Sequence, residues 1–443
     1  MRRASVLCVL LLSACSLAPD YLRPEVAFPN QWETPQATAQ AIPARWWEGF
    51  NSPALNALVT QALAQNTDLA ASIARVAQAR GDARIARASL YPQVDATASH
   101  GRRVYDSKTV TGDRNTSQAG LNVAYELDLF GANRSAREAA SFTLEASAYT
   151  RDALALVVAS DVTSAYVTLV TTMEQQRIAQ ANLKNNTDVL KIIQAQYDAG
   201  RRSALELAQQ KTTVATTQAT IATLTREAEI SRHQLAVLCG VAPQGFAPAT
   251  EAFSALAVPA IAPTLPAAVL EQRPDVRAAE AQLKAANADI GAARAAFFPS
   301  VSLGLNGSWV DGGSTGLSLA GDLLAPIFHG GALQGQLDVS TARKEELVAT
   351  YRGAVLAALR EASDALSAAK AADARELALA EAARQSQQAY GLAKARYTNG
   401  AIDYQTLLDT QRTLFSTEDA YALAHRERLQ AVTDVYKSLG GAP

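Results

Sequence analysis

The run Leu121-Asn122-Val123-Ala124-Tyr125-Glu126-Leu127-Asp128-Leu129-Phe130-Gly131 carries two messages. Leu121, Val123, Tyr125, Leu127 and Leu129 alternate with a set that includes Asn122, Glu126 and Asp128. That period of two predicts a β-strand with one apolar and one polar face. Past Gly131 the pattern changes: from Ala132 to Ala199 there are 68 residues without glycine or proline. At 1.5 Å per residue, a helix of that length is a rod of about 100 Å.

The same plan occurs twice. Asn66-Thr67-Asp68-Leu69 is echoed by Arg273-Pro274-Asp275-Val276, and Ala88 to Val94 by Ala295 to Val301. Leu129-Phe130-Gly131 is echoed by Ile327-Phe328 and Gly330-Gly331, Tyr197 with Gly200 by Tyr397 with Gly400, and Gly240 by Gly440. Five matches in one order, at an offset near 200 residues, identify an internal duplication. Each copy predicts helix, strand, loop, strand, long helix, turn, helix. Pro92 and Pro299 stop the first helix of each copy and push the residue before them toward extended geometry.

The alternation predicts strands at about 93–104, 118–130, 300–310 and 316–328, linked by the polar stretches Arg102 to Ser117 and Asp311 to Ser314. A tilted strand needs about 9–11 residues to span a bilayer. No later segment has 18 consecutive apolar residues, so a mature chain that crosses a membrane must do so as a closed β-barrel. A soluble sandwich with one wet face is the other reading of such strands. Four strands cannot close a membrane barrel, whose minimum is about eight. Several chains must then share one: a dimer gives a filled barrel of eight strands, a trimer one of twelve with room for a lumen. The interface would be head-to-tail and cyclic.

The long helices predict coiled-coil hairpins that bend at Gly200 and Gly400. Val162, Leu169, Leu183, Leu190 and Tyr197 share one heptad position, with Gln176 the exception. After the first bend Leu207, Val214, Ile221, Ala228 and Leu235 share another; after the second, Leu407, Leu414, Tyr421 and Val435 do so, with Arg428 interrupting. These stripes read as a packed wall rather than a cofactor box.

Lys and Arg number 40 against 42 Asp and Glu, for a net charge of −2, which argues against nucleic-acid binding. Cys8, Cys15, Cys239, His100, His233, His329 and His425 include no two at metal-ligand spacing, and no catalytic constellation is visible, so neither a metal site nor an enzyme is expected. A non-channel coiled-coil lipoprotein scaffold is the alternative to a channel.

At the N-terminus Arg2 and Arg3 precede the short apolar run Val6 to Leu12 and then Leu12-Ser13-Ala14-Cys15, which reads as a signal peptide over residues 1–14. Small residues before a cysteine resemble the bacterial lipobox, so Cys15 is expected to carry a covalent lipid, the only non-protein group foreseen, and Ser16 favours the outer membrane. The expected layout is an extended arm over 15–52, repeat one over 53–240 with its hairpin at 132–239, a proline-rich linker over 241–263, repeat two over 264–440 with its hairpin at 332–439, and a tail at 441–443.

With these residues in view the chain resembles the outer-membrane factor family, the TolC-like exit ducts of efflux and secretion systems, and most of all their lipoprotein branch. The resemblance rests on Leu12 to Ser16, Pro19-Asp20-Tyr21, Arg23-Pro24-Glu25, Tyr125 to Gly131, and Arg396-Tyr397-x-x-Gly400-x-x-x-Tyr404-x-x-Leu407-Leu408-Asp409. It implies a homotrimer with a twelve-strand barrel in the outer membrane, continued by a long helical barrel in the periplasm. It also implies a periplasmic adaptor and an inner-membrane transporter, most often of the RND type, as partners. The family's periplasmic tip is a gate with acids six and nine residues after the second turn glycine. Here those positions are Thr406 and Asp409, and Ile402 stands where some members have arginine. Glu206 matches a gate-linking acid, with Arg201 and Arg202 beside it; Tyr397, Arg202, Glu206, Thr406 and Asp409 are therefore the expected gate residues, and Gly200 and Gly400 the turns that meet the adaptor.

Overall fold

The computed structural model describes residues 17–27, 43–106, 111–260, 272–311 and 313–441. The expected signal peptide, Cys15, residues 28–42 of the arm, residues 261–271 and the last two residues lie outside these. The chain divides into two compact units: Met1–Val26, Ile73–Tyr149 and Asp275–Ala354 form one, and Ala27–Ser72, Thr150–Pro274 and Val355–Pro443 the other. The elements run α1 (Pro53–Gln65), α2 (Thr67–Ala88), β1 (Gln93–Asp106), β2 (Thr111–Leu127), α3 (Ala132–Asp198), α4 (Ala204–Leu238), α5 (Pro274–Ala295), β3 (Ser300–Val310), β4 (Ser314–Leu324), α6 (Ala332–Thr398) and α7 (Tyr404–Ser438). Duplication is visible in their lengths: 22 residues for α2 and α5, 67 for α3 and α6, and 35 for α4 and α7.

The first unit holds one antiparallel sheet in the order β1-β2-β3-β4. The β2–β3 pairing joins the two copies, with Leu127 opposite Val301 and Gln118 opposite Val310. Register explains why the alternation matters. Val94, Val123, Leu305 and Leu319 form one row across all four strands, and Asp95, Asn122, Asn306 and Ser318 the next. Every strand therefore presents apolar groups to the same face. That face is bare: Val94 is 62% exposed, Leu317 78% and Leu319 79%. A sandwich would cover it with a second sheet, and the described residues contain none; a lipid-facing sheet requires it to be bare. β1 and β4 each have one strand neighbour, so both edges are open.

The first β-hairpin departs from expectation at both ends. The polar stretch Arg102 to Ser117 is mostly strand and not a link: His100 pairs with Ser117, Arg102 with Asn115 and Asp106 with Thr111. Ladder bonds use backbone groups alone, so polar side chains do not stop a hairpin outside lipid. At the other end β2 stops at Leu127 rather than 130, because Asp128 turns to cap α3. Its carboxylate accepts from Asn133 N at 3.1 Å, Arg134 N at 2.9 Å and Arg134 Nε at 3.1 Å. β4 likewise ends at Leu324 rather than 328, just ahead of Pro326, which has no N–H to give a ladder.

The segment that follows Cys15 is seated on α5 in this same unit. Asn287 Nδ2 donates to the Pro19 carbonyl at 2.7 Å, and Arg294 Nη1 to that of Leu17 at 3.2 Å. Arg23 donates to the Tyr351 hydroxyl at 2.9 Å and pairs with Glu280 at 3.0 Å. Gly291 makes the seat possible, since a Cβ there would lie 2.7 Å from the Ala18 Cβ.

The second unit has its core where a short 3-10 helix, Trp46–Phe50, packs Trp46, Trp47 and Phe50 against Leu55 and Val59 of α1, Val162 and Tyr166 of α3, Leu235 of α4 and Leu429 of α7. α3 has a stretch long and apolar enough to cross a membrane, but most of it is buried in the folded chain. Ser52 caps α1 by accepting from Leu55 N at 3.1 Å, and donates to Glu251 at 2.6 Å.

Candidate functional site

Both hairpin bends are built alike. Gly200 has φ 70° and Gly400 φ 72°, the left-handed region where a Cβ is strained. The Gly200 and Arg201 N–H groups donate to the Tyr197 and Gln196 carbonyls at 2.9 and 2.8 Å. Those of Gly400 and Ala401 donate to Tyr397 and Arg396 at 3.0 and 2.9 Å. This is the paired-carbonyl stop that a helix needs at its C-terminus.

The returning helices begin differently, and the difference accounts for one expected acid. In α4 the Ser203 hydroxyl accepts from Glu206 N at 3.3 Å while Glu206 Oε2 accepts from Ser203 N at 3.2 Å, a reciprocal cap. In α7 the acid sits at the cap itself: Asp403 Oδ1 accepts from Thr406 N at 2.8 Å. Hydrogen bonds from Thr406 hold the Asp403 carboxyl below its usual range. Thr406 thus serves to cap the turn, through its side chain and its backbone N–H, both toward Asp403.

Arg202 gathers the site. It pairs with Glu206 at 3.1 Å, donates to Gln196 Oε1 at 2.9 Å, and lies 5.5 Å from the Tyr397 ring centroid. Tyr397 is buried among Val189, Ile193, Leu207, Tyr390, Tyr404, Leu407 and Leu408. Burial pushes its phenol up, with Arg202 opposing. Arg202, Glu206 and Tyr397 therefore come together, and Arg202 and Glu206 pair with each other inside one turn; the contact across hairpins is the one between Arg202 and Tyr397. Asp409 stands apart, exposed on α7, with its Oδ1 accepting from Gln405 Nε2 at 3.0 Å.

The stripes need correction near the tip. Leu183 and Leu190 are half-buried and Tyr197 is 40% exposed, whereas Asn186, Val189 and Ile193 are buried. A straight helix of 3.6 residues per turn drifts off a strict heptad, so the buried face moves over 67 residues. In α4, between its end positions Leu207 and Leu235, the fully buried row is Gln210, Thr217, Leu224 and Ser231, with Val214, Ile221 and Ala228 half-buried beside it. Three of those four buried residues are polar, so hydrophobic pattern alone misses the row; its signal is the spacing of seven.

These buried polar groups form a seam between the hairpins. Asn186 Nδ2 donates to Thr217 Oγ1 at 3.1 Å, and Gln210 Nε2 to the Asn186 carbonyl at 2.7 Å. From the second hairpin, Gln411 Nε2 donates to Asn186 Oδ1 at 2.8 Å and the Tyr404 hydroxyl to Gln210 Oε1 at 2.8 Å. Among the described residues no cluster of His, Cys, Asp and Glu could hold a metal ion.

The family model described as outer membrane efflux protein matches residues 58–241 and again 265–441. Pyoverdine export outer membrane protein OpmQ of Pseudomonas aeruginosa is 37% identical over 450 residues, covering 98% of this chain and 95% of that protein. Toluene efflux pump outer membrane protein TtgI of Pseudomonas putida is 35% identical over 454 residues, covering 98% and 96%. Among solved structures, the open state of the Neisseria gonorrhoeae MtrE outer membrane channel superposes with a TM-score of 0.86 at 31% identity, covering 96% of this chain and 98% of that one.

Proposed function

The chain belongs to the outer membrane efflux protein family and is an outer-membrane exit duct of a tripartite efflux system, and from that premise we propose how it is assembled, anchored and gated. Its role is transport, and it works with an adaptor and an inner-membrane transporter. The sheet with two open edges is the observation that carries the assembly. Unpaired backbone groups cannot face lipid, so three copies close twelve strands into one barrel wide enough to conduct. Cys15 carries the lipid, and the seat of residues 17–23 on α5 is what would hold that anchor beside the sheet. The partner transporter is of the RND type.

At the tip Arg202, Glu206 and Tyr397 hold the hairpins in their resting arrangement, and Asp409 faces the pore. Threefold symmetry then sets three carboxylates around one axis, a ring that favours cations. The duct itself adds no catalysis and no substrate-specific site. The cargoes in the names of OpmQ and TtgI, pyoverdine and toluene, are chemically unlike, which suits a passage that takes what its pump delivers. Purified protein in planar bilayers tests this reading. It should conduct, and Asp409→Ala should shift the reversal potential in a sodium chloride gradient toward zero selectivity. Absence of any conductance would favour a non-channel scaffold, and an unchanged reversal potential would remove Asp409 from the pore.

A further inference from the structure

We infer that the exterior face of α2 beneath the sheet, carrying Arg80, Arg84 and Arg87, docks anionic phospholipid headgroups of the periplasmic leaflet. This rests on the reading above of a lipid-facing sheet and an anchored arm, and adds a lipid preference to it.

The duplication identifies the face. Thr67 and Ala88 bound α2 as Pro274 and Ala295 bound α5, and Pro92 and Pro299 follow at the same distance. On α5 the arm is held by Glu280, Lys284, Asn287, Gly291 and Arg294. The matching row on α2 is Ile73, Ala77, Arg80, Arg84 and Arg87. Steps of three and four keep each row on one helix face. The arm leads to the lipid, which must lie outside the duct, so the face it covers on α5 is the exterior one. The equivalent face of α2 is then exterior too, and there it is bare: all five of its residues are exposed.

What α2 presents is charge of one sign. On α5 the row mixes signs, with Lys284 paired to Glu280 at 3.4 Å. On α2 three arginines stand three and four residues apart, a spacing at which like charges destabilise a helix. Among the described residues no carboxylate pairs with them, and Arg87 makes one long bond, to the Tyr91 hydroxyl at 3.5 Å. Residues 28–42 of the arm hold a single acid, Glu33. A row that costs helix stability and meets no acid within the chain fits an anion from outside it.

Position identifies that anion. Tyr91 is 54% exposed, just ahead of Pro92 and β1, and Val94 on the bare apolar face follows. A tyrosine with one apolar and one wet end suits the membrane–water boundary. Measured along the helix, Arg87, Arg84 and Arg80 lie about 6, 10 and 16 Å below Tyr91. The headgroup layer is about 5–8 Å deep. Arg87 therefore stands at the level of the lipid phosphates, and the other two lie within roughly one Debye length of that layer. An arginine at such a surface strengthens anionic-lipid binding about fivefold.

The test is native mass spectrometry of the full-length assembly in detergent, titrated with phosphatidylglycerol or with phosphatidylethanolamine. Wild type should retain phosphatidylglycerol preferentially. Arg87→Gln should weaken that binding about fivefold, Arg84→Gln less and Arg80→Gln least, with phosphatidylethanolamine unaffected. Arg75→Gln, on the opposite face of the same helix, should change nothing. Equal retention of both lipids by wild type would overturn the lipid site and leave an acidic protein as the occupant of this face. Equal losses from all four substitutions would overturn it as well. So would an assembly that falls apart in Arg84→Gln, which would make the row a contact between copies. In each of these cases an intact wild-type oligomer shows that the inference fails alone. A wild type recovered only as a folded monomer would refute the shared barrel, and the lipid site with it.

Discussion

Arg428 stands where the heptad of α7 asks for an apolar side chain, and the structure shows what it does instead. Its guanidinium pairs with Glu376 of α6 at 2.8 Å and Asp373 at 2.5 Å, while His425 Nδ1 meets the other Glu376 oxygen at 2.7 Å. Burial pushes the Glu376 carboxyl up, but the bonds from Arg428 and His425 outweigh it and hold it below the usual carboxylate range. A carboxyl depressed on folding stabilises the fold above its unfolded pKa, about 4.3, and that contribution fades as pH falls through the lower, folded value. Arg428→Leu should therefore cost about 1–3 kcal/mol near neutral pH, because it leaves one oxygen of the buried Glu376 carboxylate without its charged donor while His425 holds the other. The gap from wild type should shrink as pH drops below about 4. Thermal unfolding of both proteins across that range checks this, and a constant gap would mean the pair is not the cause.

At the scale of the element, glycine has opposite meanings in the bend and in the rod. Gly400 needs its positive φ, and the space around it is open, so Gly400→Ala should cost about 1–2 kcal/mol through backbone strain alone. Gly353 lies inside α6 with nothing near its missing Cβ, so Gly353→Ala should stabilise by about 0.5–1 kcal/mol. Melting temperatures moving in opposite directions confirm the pair; a shared sign would contradict it. The bends were legible in the sequence because each turn glycine opens 39 residues without glycine or proline, up to Gly240 in the first copy and Gly440 in the second. The strands were legible as existing and alternating, yet not in their ends. Asp128 reads as one more polar residue of a strand until its three bonds into α3 are seen, and the pairing of Arg102 with Asn115 leaves no trace in hydrophobicity. In the candidate site Glu206, Arg202 and Tyr397 were visible by their distance from the two glycines. Asn186, Gln210 and Gln411 were not, because a buried amide and an exposed one look the same in a sequence, and their bonds join residues up to 225 positions apart.

For the whole molecule, one physical constraint governs the rest: the sheet has four strands, an uncovered apolar face and two open edges. A lone chain placed in a bilayer would expose both edges to lipid. Three chains would remove all of them, and the proposed gate and carboxylate ring would then depend on the same symmetry. The most direct test is native mass spectrometry of the complex extracted from membranes in mild detergent. The expected result is a single species of three chains, each beginning at Cys15 and carrying the added mass of its acyl groups. Three chains without added mass would refute the lipid alone. A stable, folded monomer or dimer would contradict the shared barrel itself.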